Sequence, residues 1–209
     1  FTNVIPKVIT DSNEISGSVP KSSYGSIGDY AIDATNTQNP VFYKKSNNAW
    51  TQVGTATWQK SFPAAQGTES SPTIVQGNTI SINGNVITAS STTVTTLAND
   101  ITTGGIPGVT ADVVNNKLEI YADSTASADS TNDGKVVIAN GTGTILTVTG
   151  LAAGSYYAPT LQVSAHTSVP EFKTSDTKPA PSGSMWVKTT TPNLGANVSI
   201  KKYNGTTNL

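Results

Sequence analysis

An Asn-Gly turn flanked by alternating apolar residues, followed by a short amphipathic stretch and a second hairpin, constrains Thr79 to Tyr121 more tightly than any other part of the chain. Ile80 and Ile82 alternate with polar neighbours, Asn83-Gly84 supplies a two-residue turn, and Val86 and Ile87 run back, which predicts a tight β-hairpin. Thr92 and Thr93 then offer N-cap oxygens. Val94, Leu97, Ala98 and Ile101 fall at i, i+3, i+4 and i+7 of one helical face, and Gly104-Gly105 can stop the helix with a positive φ. After Pro107-Gly108, Val109 to Val114 turns at Asn115-Asn116, a pair tolerant of left-handed backbone, and returns as Lys117 to Tyr121. The predicted unit is ββαββ, with Leu97 and Ile101 facing a sheet made by the two hairpins. Nothing in it has the character of a reaction centre.

The order Thr79-Ile80-Ser81-Ile82-Asn83-Gly84, then Leu97 to Ile101, then Gly108-Val109-Thr110-Ala111 and Asn116-Lys117-Leu118-Glu119-Ile120, resembles the "IN" module of flagellar hook-associated proteins and flagellins. It is similar also to modules of virion structural proteins in large contractile-tailed bacteriophages. At Thr102 the sequence departs from the flagellar pattern, in which an Asn follows the Ile. The resemblance implies an assembly protein rather than an enzyme. Any small hairpin-helix-hairpin domain could use the same turn and apolar spacing.

Two further segments look like copies of each other. Gly28-Asp29-Tyr30-Ala31-Ile32-Asp33 leads into Val41-Phe42-Tyr43-Lys44-Lys45 and on to Trp50, and Gly183-Ser184-Met185-Trp186-Val187-Lys188 leads into Val198-Ser199-Ile200-Lys201-Lys202. Each pairs an aromatic-aliphatic strand with a second strand ending in Lys-Lys and an Asn-containing turn. The pattern resembles short β modules repeated in phage tail and fibre proteins, where a Trp closes the second strand. Trp50 holds that place in the first copy, and the second copy stops at Leu209 before an equivalent Trp, which suggests a fragment boundary. Joints rich in Pro, Ser and Thr at Phe62 to Pro72 and Val169 to Gly183, the latter with Pro170, Pro179 and Pro181, separate the copies from the centre. Strands are also expected at Lys135 to Ala139 and Ile145 to Thr149, both β-branched and bounded by Gly. The expected fold is mainly β with one α+β module: residues 1–70 an N-terminal β module, 71–150 the ββαββ unit with extra strands, and 151–209 a second, truncated β module.

Composition narrows the function. Only 12% of the 209 residues are charged and the net charge is −1. Ser, Thr and Asn make up about a third of the chain, far above ordinary globular usage. All 12 cations are Lys, so the bidentate guanidinium contacts of nucleic-acid readers are missing and no nucleic-acid partner is expected. Without Cys there is neither disulfide nor thiolate metal site. No apolar run is long enough for a bilayer-spanning helix, and no membrane association is expected.

No residue qualifies as catalytic, cofactor-binding or metal-binding. His166 has no acid near it in the sequence to orient it. Asp11 with Glu14 and Asp29 with Asp33 lack the opposed geometry of a glycosidase pair. Asp129, Thr131, Asp133 and Gly134 fit half of a calcium loop, but Asn140 stands where the closing Glu belongs. The sequons at Asn140, Asn197 and Asn204 read as turns. Tyr43, Trp50, Trp58, Tyr156, Tyr157 and Trp186 suit either the cores of small β modules or a sugar-stacking platform.

With the resemblances, the expectation is a structural component of a contractile phage tail located in the virion, foremost an outward-facing part of the tail sheath. It would be monomeric on its own and would contact other tail subunits through parts of the polypeptide outside this sequence. The alternative is a cell-surface adhesin or flagellar-type filament module.

Overall fold

A computed structural model describes residues 2–129, 133–164, 183–188 and 199–203. The protein is mainly β, with several small sheets and few helices. It divides into two compact units, one discontinuous (Phe1–Ser61 and Thr160–Leu209) and one contiguous (Phe62–Pro159). The expected partition placed boundaries after residues 70 and 150 and made each end a separate module. The compact units change at Ser61/Phe62 and Pro159/Thr160, and both ends of the chain share one unit.

The first part of the discontinuous unit contains β1 (Thr2–Val4), β2 (Lys7–Ile9), a 3-10 turn at Ser12–Glu14, β3 (Ile15–Ser16) and β4 (Val19–Pro20). It continues through β5 (Tyr30–Asp33), β6 (Val41–Ser46), β7 (Ala49–Gln52) and the one-turn helix α1 (Ala56–Gln59). Strands β2, β5, β6 and β7 form a sheet in that order, with β2 parallel to β5 and the rest antiparallel. Ile9, Ala31, Phe42 and Trp50 make its core, with Ile15 and Tyr24 packed alongside.

The contiguous unit runs through β8 (Ala65–Gln66), β9 (Thr79–Ile82), β10 (Asn85–Thr88), α2 (Val94–Thr103), β11 (Val109–Val114), β12 (Lys117–Ala122), β13 (Lys135–Asn140), α3 (Ile145–Thr149) and β14 (Gly154–Tyr157). Ile82 pairs with Asn85 across a turn in which Asn83 and Gly84 both have positive φ. Val114 pairs with Lys117 across Asn115 and Asn116, at φ +51° and +62°. Positive φ at both central residues is the turn geometry whose twist matches that of a hairpin, and Asn tolerates it through its short polar side chain.

Helix α2 starts at Thr93, whose hydroxyl accepts from the Thr96 amide at 3.1 Å. Its buried residues are Val94, Leu97, Ala98 and Ile101. Burial of a side chain the size of Leu97 or Ile101 contributes about 1.5–3 kcal/mol. Gly104 caps with φ −66°, and the left-handed residue that ends the helix is Gly105, at φ +71°.

The structure corrects three expectations for this unit. The two hairpins do not share a sheet: β9–β10 joins β13 and β14 in the order β10-β9-β13-β14, whereas β11–β12 joins β8. Helix α2 lies chiefly on β11 and β12 and touches β10 less, so one amphipathic face serves two small sheets. Ile145 to Thr149 is a helix rather than a strand. Burial of Ile145, Leu146 and Thr149 overrides β-branched propensity, the Thr149 hydroxyl donates to the Ile145 carbonyl at 2.7 Å, and Gly150 ends the turn in left-handed geometry at φ +67°.

The second part of the discontinuous unit holds β15 (Leu161–Ser164), β16 (Met185–Lys188) and β17 (Ser199–Lys202), and β1 completes their sheet in the order β1-β17-β16-β15. The hairpin predicted from the second copy is therefore present as β16–β17, but its register departs from the Lys-Lys alignment. Tyr30 pairs with Tyr43 while Met185 pairs with Lys202, so Lys202 stands where Tyr43 stands, two residues away from the sequence match with Lys45. His166, Thr131, Asn197, Asn204, Pro170, Pro179 and Pro181 lie outside the described residues.

Candidate functional site

Among the described residues of the discontinuous unit, a buried polar arrangement is built around Lys44. Strand β6 places this side chain in the interior, with 3% of its surface exposed. Its ammonium donates to the carbonyls of Ser22, Tyr24 and Gly25 at 2.6, 2.7 and 2.8 Å, so each of its three protons has an acceptor. It also lies 5.6 Å from the centre of the Trp50 ring, on whose face a cation is stabilised. The Trp50 indole N–H donates to the Lys21 carbonyl at 3.1 Å, and Asp29 Oδ2 accepts from the Ser26 amide at 2.8 Å. One buried cation thus wraps the segment from Lys21 to Ser26 around itself. Asp29 is also ion-paired with Lys7 at 3.7 Å.

Next to this clamp lies an open depression of about 600 Å3 lined by Ser16, Val19, Pro20 and Lys21 on one side and Asn48 to Trp50 on the other. Trp50 is only 7% exposed. The ring is held by its N–H bond and the ammonium, so it offers no free face for a sugar. Trp58, Trp186 and Tyr157 are likewise buried, at 0%, 3% and 7% exposure, while Tyr43 and Tyr156 are half-buried. The six aromatic residues are therefore packed chiefly into the interior of their units.

In the contiguous unit the densest polar group is on the sheet of β8, β11 and β12. Glu119 is buried; its Oε1 accepts from the Gln66 amide and its Oε2 from the Tyr121 hydroxyl. Asp112 sits directly across the ladder from Glu119. Burial raises the Tyr121 phenol well above its ordinary range, and the hydrogen bond to Glu119 and the charges of Glu119 and Asp112 raise it further. The phenol therefore stays protonated and donating, and both Glu119 oxygens are engaged. That arrangement ties β8 to β12 through the Gln66 and Glu119 side chains.

Four of the other sequence candidates, Asp11, Asp33, Asp129 and Asp133, are engaged in local structure. Asp11 accepts from the Asn13 amide at 2.8 Å, and Asp33 accepts from the amide and hydroxyl of Thr35 at 2.9 and 2.6 Å. Asp133 accepts from the Lys135 amide at 3.1 Å and Asp129 pairs with the Lys135 ammonium at 3.9 Å, so two of the calcium-like positions serve a turn. Among the described residues there is no cluster of three or more His, Cys, Asp or Glu suited to a metal. No helix of the described residues is long and apolar enough to cross a membrane.

Sequence reasoning missed two structural centres. Lys44 read as half of a Lys-Lys marker, and its burial depends on a loop some twenty residues earlier in the chain. Asn83 read as a turn residue, yet its side chain also accepts from the Val137 amide at 2.6 Å and donates to the Lys135 carbonyl at 3.0 Å, tying the hairpin turn to β13. No protein family, curated protein or solved structure matches the chain.

Proposed function

We propose that this chain is a modular, non-catalytic structural component of a contractile bacteriophage tail, most specifically an outward-facing part of the tail sheath. The observation that carries the reading is the ββαββ stretch from Thr79 to Ala122, with its Asn-Gly and Asn-Asn hairpins around a one-sided helix, in the sequence order of the flagellar and phage modules it resembles. Two small sheets of like strand order elsewhere in the chain fit the same repetitive, module-by-module construction. Its polar groups fit a structural part too: Lys44, Asn83 and Glu119 spend their bonding capacity on backbone and neighbouring side chains.

Immunogold electron microscopy with antibodies to the purified chain tests this on particles and cells of its source. Gold in rows along tail shafts is the expected result. Labelling confined to baseplates or fibres would move the chain to another tail part, and labelling of cell surfaces or flagellar filaments would overturn the tail reading.

A further inference from the structure

The sheet formed by β15, β16, β17 and β1 repeats the sheet formed by β2, β5, β6 and β7 strand for strand. In each, a first strand runs parallel to a second, and a third and fourth follow antiparallel. The registers also coincide. Ile32 stands between Val8 and Val41 as Val187 stands between Val163 and Ile200. The Gly28 amide donates to the Lys44 carbonyl at 2.9 Å and the Gly183 amide to the Tyr203 carbonyl at 3.0 Å, and the return bonds to Asp29 and Ser184 are both 2.9 Å.

Following this register to the fourth strand places Thr2, Asn3 and Val4 where Thr51, Gln52 and Val53 stand. The sequences agree independently: Thr-Asn-Val matches Thr-Gln-Val, and an aromatic residue, Phe1 or Trp50, precedes each. In the first sheet the fourth strand comes from the adjoining hairpin. In the second it comes from the opposite end of the sequence.

The two fourth strands differ in the burial of their last residue. At the positions described in both strands, Gln52 and Asn3 are alike exposed, whereas Val53 is 5% exposed and Val4 half-buried. At Asn3 and Val4, therefore, β1 is held more by its main-chain ladder to Lys201 and Ile200 than by buried side chains. A strand held that way is bound by edge addition, in which backbone bonds supply the affinity and any chain of suitable pattern can compete. Its link to β2 is only Ile5-Pro6, with Ile5 93% exposed and Pro6 lacking an amide proton, so the link adds neither a buried side chain at Ile5 nor a ladder donor at Pro6 to hold β1 in place.

We propose that the edge of β17 is a strand-acceptor site whose occupant is interchangeable: the chain's own β1 in a single copy, and the β1 of a second copy in a head-to-tail assembly. Such an exchange is heterologous, because donor strand and acceptor edge are different surfaces, so it propagates into open chains unless a ring closes. The inference rests on register and burial and holds whatever larger structure the chain belongs to.

Because the chain has no Cys, paired single substitutions read the exchange directly. Asn3 and Lys201 face each other across the ladder, within reach of a disulfide once both are Cys. The double variant Asn3→Cys/Lys201→Cys, oxidised at low concentration, should give an internally bridged monomer. When equimolar Asn3→Cys and Lys201→Cys chains are mixed at high concentration and oxidised, the covalent heterodimer should clearly exceed the two like-with-like dimers combined, whereas random pairing would only equal them. Mass spectrometry should join the two labelled peptides. Thr2→Cys with Lys202→Cys, the next facing pair, repeats the test should either first variant fail to fold. An internal bridge without an excess of heterodimer would overturn exchange, and absence of the bridge in both double variants would overturn the β1–β17 pairing itself.

Discussion

The contiguous unit closes its core within one stretch of chain, whereas the discontinuous unit is assembled from both ends of the sequence and leans on a buried cation. Ile80, Ile82, Leu97, Ile101, Leu118, Ile120 and Ile138 give the contiguous unit an aliphatic interior joined by short turns. The first sheet of the discontinuous unit packs a small cluster of Ile9, Ala31, Phe42 and Trp50, and its Lys21–Ser26 segment is fastened by the Lys44 ammonium. Aliphatic burial is non-directional and tolerates repacking, while a lysine with three carbonyl acceptors works only in one geometry. The two units should therefore fail in different ways.

All three tryptophans, Trp50, Trp58 and Trp186, belong to the discontinuous unit, so indole fluorescence follows that unit alone while far-ultraviolet dichroism follows both. Leu97→Ala should have the largest effect, a loss of about 2–5 kcal/mol from the contiguous unit, because Leu97 is fully buried beneath two sheets. Denaturant titration should show the dichroism transition shifted and the fluorescence transition nearly unmoved; a joint shift would break the comparison. Lys44→Met should do the reverse. Replacing the ammonium with an apolar group of similar length leaves three carbonyls unpaired, and a loss of about 2–4 kcal/mol is expected in the fluorescence transition.

Asn83→Ala should cost the contiguous unit about 1–3 kcal/mol, since it removes two side-chain bonds to β13 and puts Ala at φ +50°. Asn83→Gly, which keeps the backbone freedom and loses only the bonds, should cost less, and equal losses would show that the side-chain bonds contribute nothing.

The smallest effect is expected at Tyr30. Its hydroxyl is buried without a hydrogen-bond partner among the described residues, and burial, followed by the nearby Tyr43, raises its phenol far above the usual range. Folding therefore favours the neutral phenol. The stability this confers is complete below the unfolded-state value near 10 and is lost as pH climbs from there towards the folded value. Lys202 has the opposite sign: burial lowers its ammonium, so its penalty shrinks as pH approaches the ordinary lysine value. Tyr30→Phe should leave stability at pH 7 unchanged or raised by up to about 1 kcal/mol, because it deletes an unpaired buried hydroxyl. It should also flatten the loss of stability above pH 10. A clear loss at pH 7 would mean that the hydroxyl has a partner.

The contiguous unit was legible because its signals are local. The Asn83-Gly84 turn, the Thr93 cap, the 97/98/101 spacing and the Asn115-Asn116 turn each lie within a few residues of what they specify. The helix at Ile145 to Thr149 was not legible, because β-branched residues say strand and only tertiary burial decides otherwise. The two-sheet arrangement of the hairpins was hidden for a related reason: β8 and β13 insert from elsewhere in the chain, and hairpin patterns carry no record of their outer partners. The duplicated strands could be read in outline, but not their register. The roles of Lys44 and of the β1–β17 pairing depend on contacts between distant segments, for which a single sequence has no periodicity to show.

The claim most open to direct test is that residues 62–159 carry a complete core of their own. That segment, expressed alone, should give a dispersed amide spectrum and a single cooperative thermal transition that Leu97→Ala lowers as it does in the whole chain. A collapsed spectrum with a gradual, non-cooperative melt would contradict the account, since it would show that the contiguous unit borrows its stability from the ends of the chain.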